Sequence, residues 1–171
     1  DEGIAEMKRA QELDPLSRII NVNLADNYFY AGQYDKALEQ AKAAIEIDPK
    51  YPRAYQVLSE CLIVSGRHGD AIREVKKAVD LDPVSLHMNA AVALTYYYAR
   101  DYEASIEHAL RTVELDPNFF PGHFCRGLAC GAKGQYAEAV SALRLATDLS
   151  GESTLMLAAL GDAFASWGKE Q

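Results

Sequence analysis

Residues 32–49 read Gly32-Gln33-Tyr34-Asp35-Lys36-Ala37-Leu38-Glu39-Gln40-Ala41-Lys42-Ala43-Ala44-Ile45-Glu46-Ile47-Asp48-Pro49, and the pattern of the whole chain is contained in them. The stretch opens on a glycine that can take a left-handed turn and closes on a proline that cannot continue a helix. Between them, Leu38, Ala41, Ala44 and Ile45 recur at i, i+3, i+6 and i+7, the spacing of one helical face and not of a strand. The closing Asp-Pro is repeated at Asp14-Pro15, Asp48-Pro49, Asp82-Pro83 and Asp116-Pro117, always 34 residues apart, and the next step lands on the turn pair Ser150-Gly151. The 171 residues therefore carry five periods, and a fixed interval of this length marks a stack of identical supersecondary units.

Aligning the periods sorts residues into columns. Leu13, Ile47, Leu81, Leu115 and Leu149 form one apolar column; Ile4, Leu38, Ile72, Ile106 and Val140 form another, and both read as core. Small residues fill two more: Ala10, Ala44, Ala78, Thr112 and Ala146, and Gly3, Ala37, Ala71, Ser105 and Ala139, where two helices can approach closely. Upstream, the apolar column Leu24, Leu58, Val92 and Leu160 is followed at once by the small column Ala25, Ser59, Ala93, Gly127 and Gly161. A mid-period break at Gly32, Gly66, Arg100 and Gly134 divides each period into two helices. Asp35 and Asp70 are candidate caps after that break; Ser17, Ser85 and Ser153 are candidate caps after the Asp-Pro, and Pro52 and Pro121 suit a first helical turn. The helices predicted are 3–13, 18–31, 35–47, 52–65, 69–81, 86–99, 103–115, 120–133, 137–149 and 154–167. The span 120–133 is expected to be the softest, because Arg126 interrupts the apolar column and Gly127 and Gly131 each cost about 1 kcal/mol relative to alanine.

Composition narrows the class of function. At 49% hydrophobic and 25% charged residues the chain is ordinary globular material, able to bury a core without disulfides. A net charge of −8 repels phosphate backbones, which excludes nucleic acid as a direct partner. No run approaches the ~20 apolar residues of a membrane span, so no membrane insertion is expected. Cys125 and Cys130 lie five apart on one helix and diverge by about 140°, too far to bridge. With Cys61 they read as reduced packing residues, which favours a reducing, cytoplasmic compartment. The run 127–134 is rich in glycine but lacks the GxxxxGK[ST] spacing of a phosphate loop. His123, Cys125 and Cys130 do not share a helical face, so no metal site is expected. No nucleophile, base and orienting group occur together; no catalytic residue and no cofactor is assigned, and the chain reads as not an enzyme.

The columns resemble the tetratricopeptide repeat, a helix-turn-helix unit of 34 residues. Tyr28, Tyr96, Gly32-Gln33-Tyr34 and Gly134-Gln135-Tyr136 stand where that pattern places them, and the likeness runs through the whole chain. It departs where the family's tryptophan near the start of a unit is Asn21, Tyr55, Asn89 and His123. The resemblance implies an all-α, right-handed α-solenoid of about ten helices, read as a single array over 1–171. Residues 1–17 would be the second helix of a truncated unit, 18–51, 52–85, 86–119 and 120–153 full units, and 154–171 the first helix of another. That phase reads as a segment of a longer protein. Its end helices are expected to lack partners for Ile4 and Met7 and for Leu157, Leu160, Phe164 and Trp167.

In the resembling family the first helices line a concave groove that binds peptides. First-helix residues outside the core columns are its candidate lining: Asp26, Phe29 and Tyr30, then Arg53, Gln56, Glu60 and Ile63, then His87, Leu94, Tyr97 and Tyr98, then Phe124 and Leu128, with Val22 and Ala90 in the same register. Three successive residues turn 100° each, so Tyr96, Tyr97 and Tyr98 cannot share a face; with Tyr96 in the core column, Tyr97 and Tyr98 project to the groove. They are either ligand anchors or rings that stiffen the array by packing on a neighbouring unit. The Lys, Asn and Arg clamp with which some family members hold a C-terminal carboxylate is replaced by Val22, Asp26, Val57, His87 and Ala91, so an apolar or mildly basic partner segment is favoured. The resulting expectation is a protein-interaction scaffold. Two alternatives remain: a regulatory appendage of a bacterial signalling protein, whose repeat regions the runs at 14–17, 116–119 and 149–151 loosely resemble, and an array that associates end to end through its terminal helices.

Overall fold

A computed structural model describes residues 2–168. It contains α1 (Glu2–Leu13), α2 (Arg18–Tyr30), α3 (Tyr34–Ile47), α4 (Pro52–Val64), α5 (His68–Leu81), α6 (Leu86–Tyr98), α7 (Tyr102–Leu115), α8 (Phe120–Ala132), α9 (Tyr136–Leu149) and α10 (Thr154–Trp167). No strand occurs among the described residues. Every boundary lies within one residue of the sequence prediction, and α8 runs unbroken through Gly127 and Gly131. The chain divides into two compact units, one ending at Pro83 and holding α1–α5, the other beginning at Val84 and holding α6–α10. In the first, α2 pairs with α3 and α4 with α5, and α1 lies against α2; in the second, α6 pairs with α7 and α8 with α9, and α10 lies against α9.

The interior is built from the small columns. Ala37, Ala71, Ser105 and Ala139, and Ala44, Ala78, Thr112 and Ala146, are all fully buried. Small side chains let paired helices come close enough for Ser105 Oγ on α7 to donate to the carbonyl of Ala93 on α6 at 2.8 Å. Leu24 and Ala25, Leu58 and Ser59, and Val92 and Ala93 complete the buried ranks on the first helices. The leucine column before each turn is different. Leu13, Leu81 and Leu115 are exposed, and Ile47 and Leu149 are only half-buried. Each is the last residue of its helix, where the side chain stands at the rim of the pair, so that column is not core. Of the second apolar column only Val140 is buried, while Ile4, Leu38, Ile72 and Ile106 are half-buried and shield the small residues from the side.

The column that departs from the family pattern has a shared structural role. Asn21 Nδ2 donates to the carbonyls of Pro15 at 3.1 Å and Ser17 at 2.8 Å. Tyr55 Oη donates to Pro49 O at 3.0 Å. His123 Nε2 lies 2.8 Å from Pro117 O and, since a carbonyl can only accept, carries the proton. Asn89 Nδ2 donates to Ser85 O at 2.9 Å. All four side chains are buried or nearly so, and each ties the first helix of a unit to the turn before it.

Caps follow the sequence in part. Ser17 and Ser85 accept from the amides of Ile20 and Met88. Ser153 makes no such bond, and Asp35 and Asp70 lie inside the first turns of their helices instead of capping them; Asp70 pairs with Arg67 and Arg73. Asp101 takes the cap in the one period without a mid-period glycine, accepting from Ala104 N at 3.1 Å. The end helices are better covered than expected. Ile4 and Met7 pack on the core of the first unit. Leu160 and Trp167 pack on Cys130, Val140 and Leu143, leaving Leu155, Leu157 and Phe164 exposed on α10.

Candidate functional site

In the first unit the sequence-predicted residues of α2 and α4 converge on a charged cluster. Arg53 Nη2 donates to both carboxylate oxygens of Asp26 at 2.9 Å, and its Nη1 lies 3.7 Å from Glu60. Gln56 Nε2 donates to Glu60 at 2.9 Å. Two carboxylates share one guanidinium, so the cluster carries an excess negative charge. Burial pushes the Glu60 carboxyl above its ordinary value against the opposing pull of Arg53 and Gln56, and Asp26 adds to the rise. Burial likewise raises Asp26, with Arg53 pulling the other way. Phe29 and Ile63 lean on the core of this unit, and Phe29 meets Tyr30 and Tyr34 edge-on at 5.8 and 5.5 Å. Tyr30 is 81% exposed.

The second unit repeats the aromatic trio: Tyr97 meets Tyr98 at 5.4 Å and Tyr102 at 5.9 Å. Tyr97, Phe124 and Leu128 line a pocket of about 390 Å³ walled by α6, α8, α9 and α10. Tyr98, half-exposed, lies outside its lining. His87 and Leu94 are not part of it either. His87 packs edge-on against Phe119 at 5.1 Å, and Leu94 packs on Ala93, Ala109 and Cys125. Val22 and Ala90 are buried. The pocket also takes residues that the sequence reading did not select, chiefly Tyr136, Leu155, Asp162 and Ser166. Tyr34, Tyr102 and Tyr136 fall in one column, interrupted only by His68, so their recurrence at three of the four second-helix starts from α3 to α9 was the signal available for them.

Cys61, Cys125 and Cys130 are free and buried. Burial pushes the thiols of Cys61 and Cys125 up to about 12, which leaves no thiolate at neutral pH for nucleophilic chemistry. Among the described residues no group of three His, Cys, Asp or Glu side chains could hold a metal ion, and no helix is long and apolar enough to cross a membrane.

Comparison with known proteins agrees with the repeat geometry. Protein-family models of the tetratricopeptide repeat match residues 28–94 and 91–166. The chain belongs to the tetratricopeptide repeat (TPR) family. TPR proteins are generally non-enzymatic scaffolds. In this chain the two matched stretches indicate a protein-interaction scaffold. Solved TPR structures share its fold. A thermophilic TPR protein of Thermus thermophilus is 21% identical over 89% of this chain and 84% of its own, with a TM-score of 0.82. MamA is 23% identical over 87% of each chain, with a TM-score of 0.67. YrrB, described as a TPR protein with an unusual peptide-binding site, is 19% identical over 93% of this chain and 82% of its own, with a TM-score of 0.62. No curated protein sequence matches significantly.

Proposed function

We propose that this TPR protein binds an extended segment of a partner protein on the first-helix faces of its units, and that the segment is apolar or mildly basic. The observation that carries the reading is the aromatic pocket of the second unit, where Tyr97, Phe124 and Leu128 present apolar area that the fold leaves uncovered. Tyrosine is suited to such a role because it offers apolar surface and a hydroxyl with little rotamer entropy to lose. The charged cluster of the first unit supports the same preference: Asp26 and Glu60 outnumber Arg53 and disfavour an acidic ligand. YrrB's peptide-binding site supports the class of ligand. The test is selection from a displayed peptide library on the intact chain. Binders whose affinity drops when Tyr97 and Tyr98 are both changed to Ala support the reading; binders indifferent to that change remove the surface.

A second reading rests on α10. Leu155 at 61%, Leu157 at 47% and Phe164 at 42% exposure give one helix three uncovered apolar side chains, a surface on which copies of the chain could associate. Light scattering across a hundredfold range of protein concentration separates the two: a constant monomer mass removes self-association and leaves peptide binding intact.

A further inference from the structure

The pocket of the second unit has one electrostatic peculiarity. Among the described residues, Asp162 is the only charged side chain in its lining. It forms no salt bridge among them. Around it the pocket takes Tyr97 and Ala132 from the closing turns of α6 and α8, Phe124 and Leu128 from further up α8, and a row along α10 that runs from Leu155 in its opening turn to Ser166 in its last. Helix C-termini carry partial negative charge on their unpaired carbonyls, and a cation beside them is stabilised. Among the described residues, α6, α8 and α10 each have no basic residue in the last turn. Lys133, just past α8, is 2.9 Å from Glu103 and so engaged with it. The N-terminal end of α9, which contributes Tyr136, has Glu138 in its first turn to offset its opposite polarity. The rings of Tyr97, Phe124 and Tyr136 add the faces over which an ammonium or guanidinium is attracted.

We infer that this pocket receives a lysine or arginine side chain of the bound segment, with the alkyl stem along Phe124 and Leu128 and the charged head at Asp162. The inference rests on the peptide-binding reading above and assigns a ligand group to one pocket within it. A long basic side chain is the natural occupant because it combines an apolar stem with a polar tip. An acidic side chain would meet the Asp162 carboxylate and the ends of α6 and α8, and a purely apolar one would leave that carboxylate without a counter-charge.

The experiment uses four synthetic octapeptides with one alanine, leucine and tyrosine framework, differing only at a central position that is lysine, arginine, norleucine or glutamate. Binding to the intact chain is followed by amide chemical shifts. The lysine and arginine peptides are expected to bind about three- to tenfold more tightly than the norleucine peptide at low salt. The glutamate peptide should be weakest, and 0.5 M salt should compress the differences. Asp162→Asn, at an exposed position outside the core, is expected to bring the lysine and arginine peptides to the affinity of the norleucine peptide. Equal binding of lysine and norleucine peptides, or a preference that survives Asp162→Asn, overturns the cation site and leaves the peptide-binding reading standing. Absence of shifts on α6, α8 and α10 with all four peptides overturns both.

Discussion

Gly127 shows how a residue acquires meaning only from its neighbour. A Cβ built on it would lie 2.5 Å from Leu143 Cγ and 3.3 Å from the carbonyl of Ala139, so α8 and α9 meet at this glycine. Sequence alone registers only its helix-propensity cost. Gly131, one turn on, would place a Cβ 3.6 Å from Ala139, an ordinary contact. Gly127→Ala should therefore destabilise by about 1–3 kcal/mol through overpacking, while Gly131→Ala should stabilise by about 0.5–1 kcal/mol. Urea unfolding of both variants checks this, and equal effects would contradict the packing argument. Arg100 offers the converse case. It occupies φ 62° where the other full periods place Gly32, Gly66 and Gly134 at φ 73°, 72° and 78°. Arg100→Gly should gain about 1 kcal/mol in the same assay, since a left-handed backbone costs a side-chain-bearing residue about that much. Glu60 belongs to this scale as well. Its carboxyl titrates above the ordinary range in the folded chain, so the stability tied to its protonation is present in full below the unfolded value and lost as pH rises through the folded one. Wild type should gain on Glu60→Gln between pH 7 and pH 4; parallel stability profiles would show that Glu60 is not held in a costly environment.

At the scale of the element, helix boundaries were legible because glycine, proline and the 34-residue interval punctuate the chain in register. The caps were less so. Asp35 and Asp70 have the right chemistry but sit one or two residues inside their helices, and only Asp101 falls on the cap itself. The leucines before each turn misled for a related reason: recurrence at a fixed phase signals a fixed environment, and here that environment is a rim. The column of Asn21, Tyr55, Asn89 and His123 could be read only as a departure from the family pattern, since nothing in sequence shows a side chain reaching back to a turn carbonyl. Tyr55→Phe isolates that link. It removes the bond to Pro49 O and leaves the ring in place, so a loss of about 0.5–1.5 kcal/mol is expected in thermal or urea unfolding. An unchanged midpoint would mean that the bond does not hold the turn.

For the whole molecule, the fold was legible because one period governs every helix, whereas the binding surface was legible only in part. Asp26, Arg53 and Glu60 were placed together by the register of two first helices, and Tyr97, Phe124 and Leu128 by that of another two. Asp162 and Tyr136 were missed because the pocket draws on a terminal helix and on the start of a second helix, which a rule confined to full first helices does not reach. Within each compact unit, stability should be shared among helix pairs that pack on their neighbours. Leu58→Ala, at 7% exposure in the core of the first unit, should cost about 2–5 kcal/mol, and a loss below about 1 kcal/mol would put the column assignment out of phase. The central claim is that the aromatic first-helix face of the second unit holds a partner segment. Calorimetry on a library-selected peptide tests it most directly: Tyr97→Ala with Tyr98→Ala should weaken binding by about 1–2 kcal/mol or more, with the fold intact by circular dichroism. An unaltered dissociation constant would contradict it.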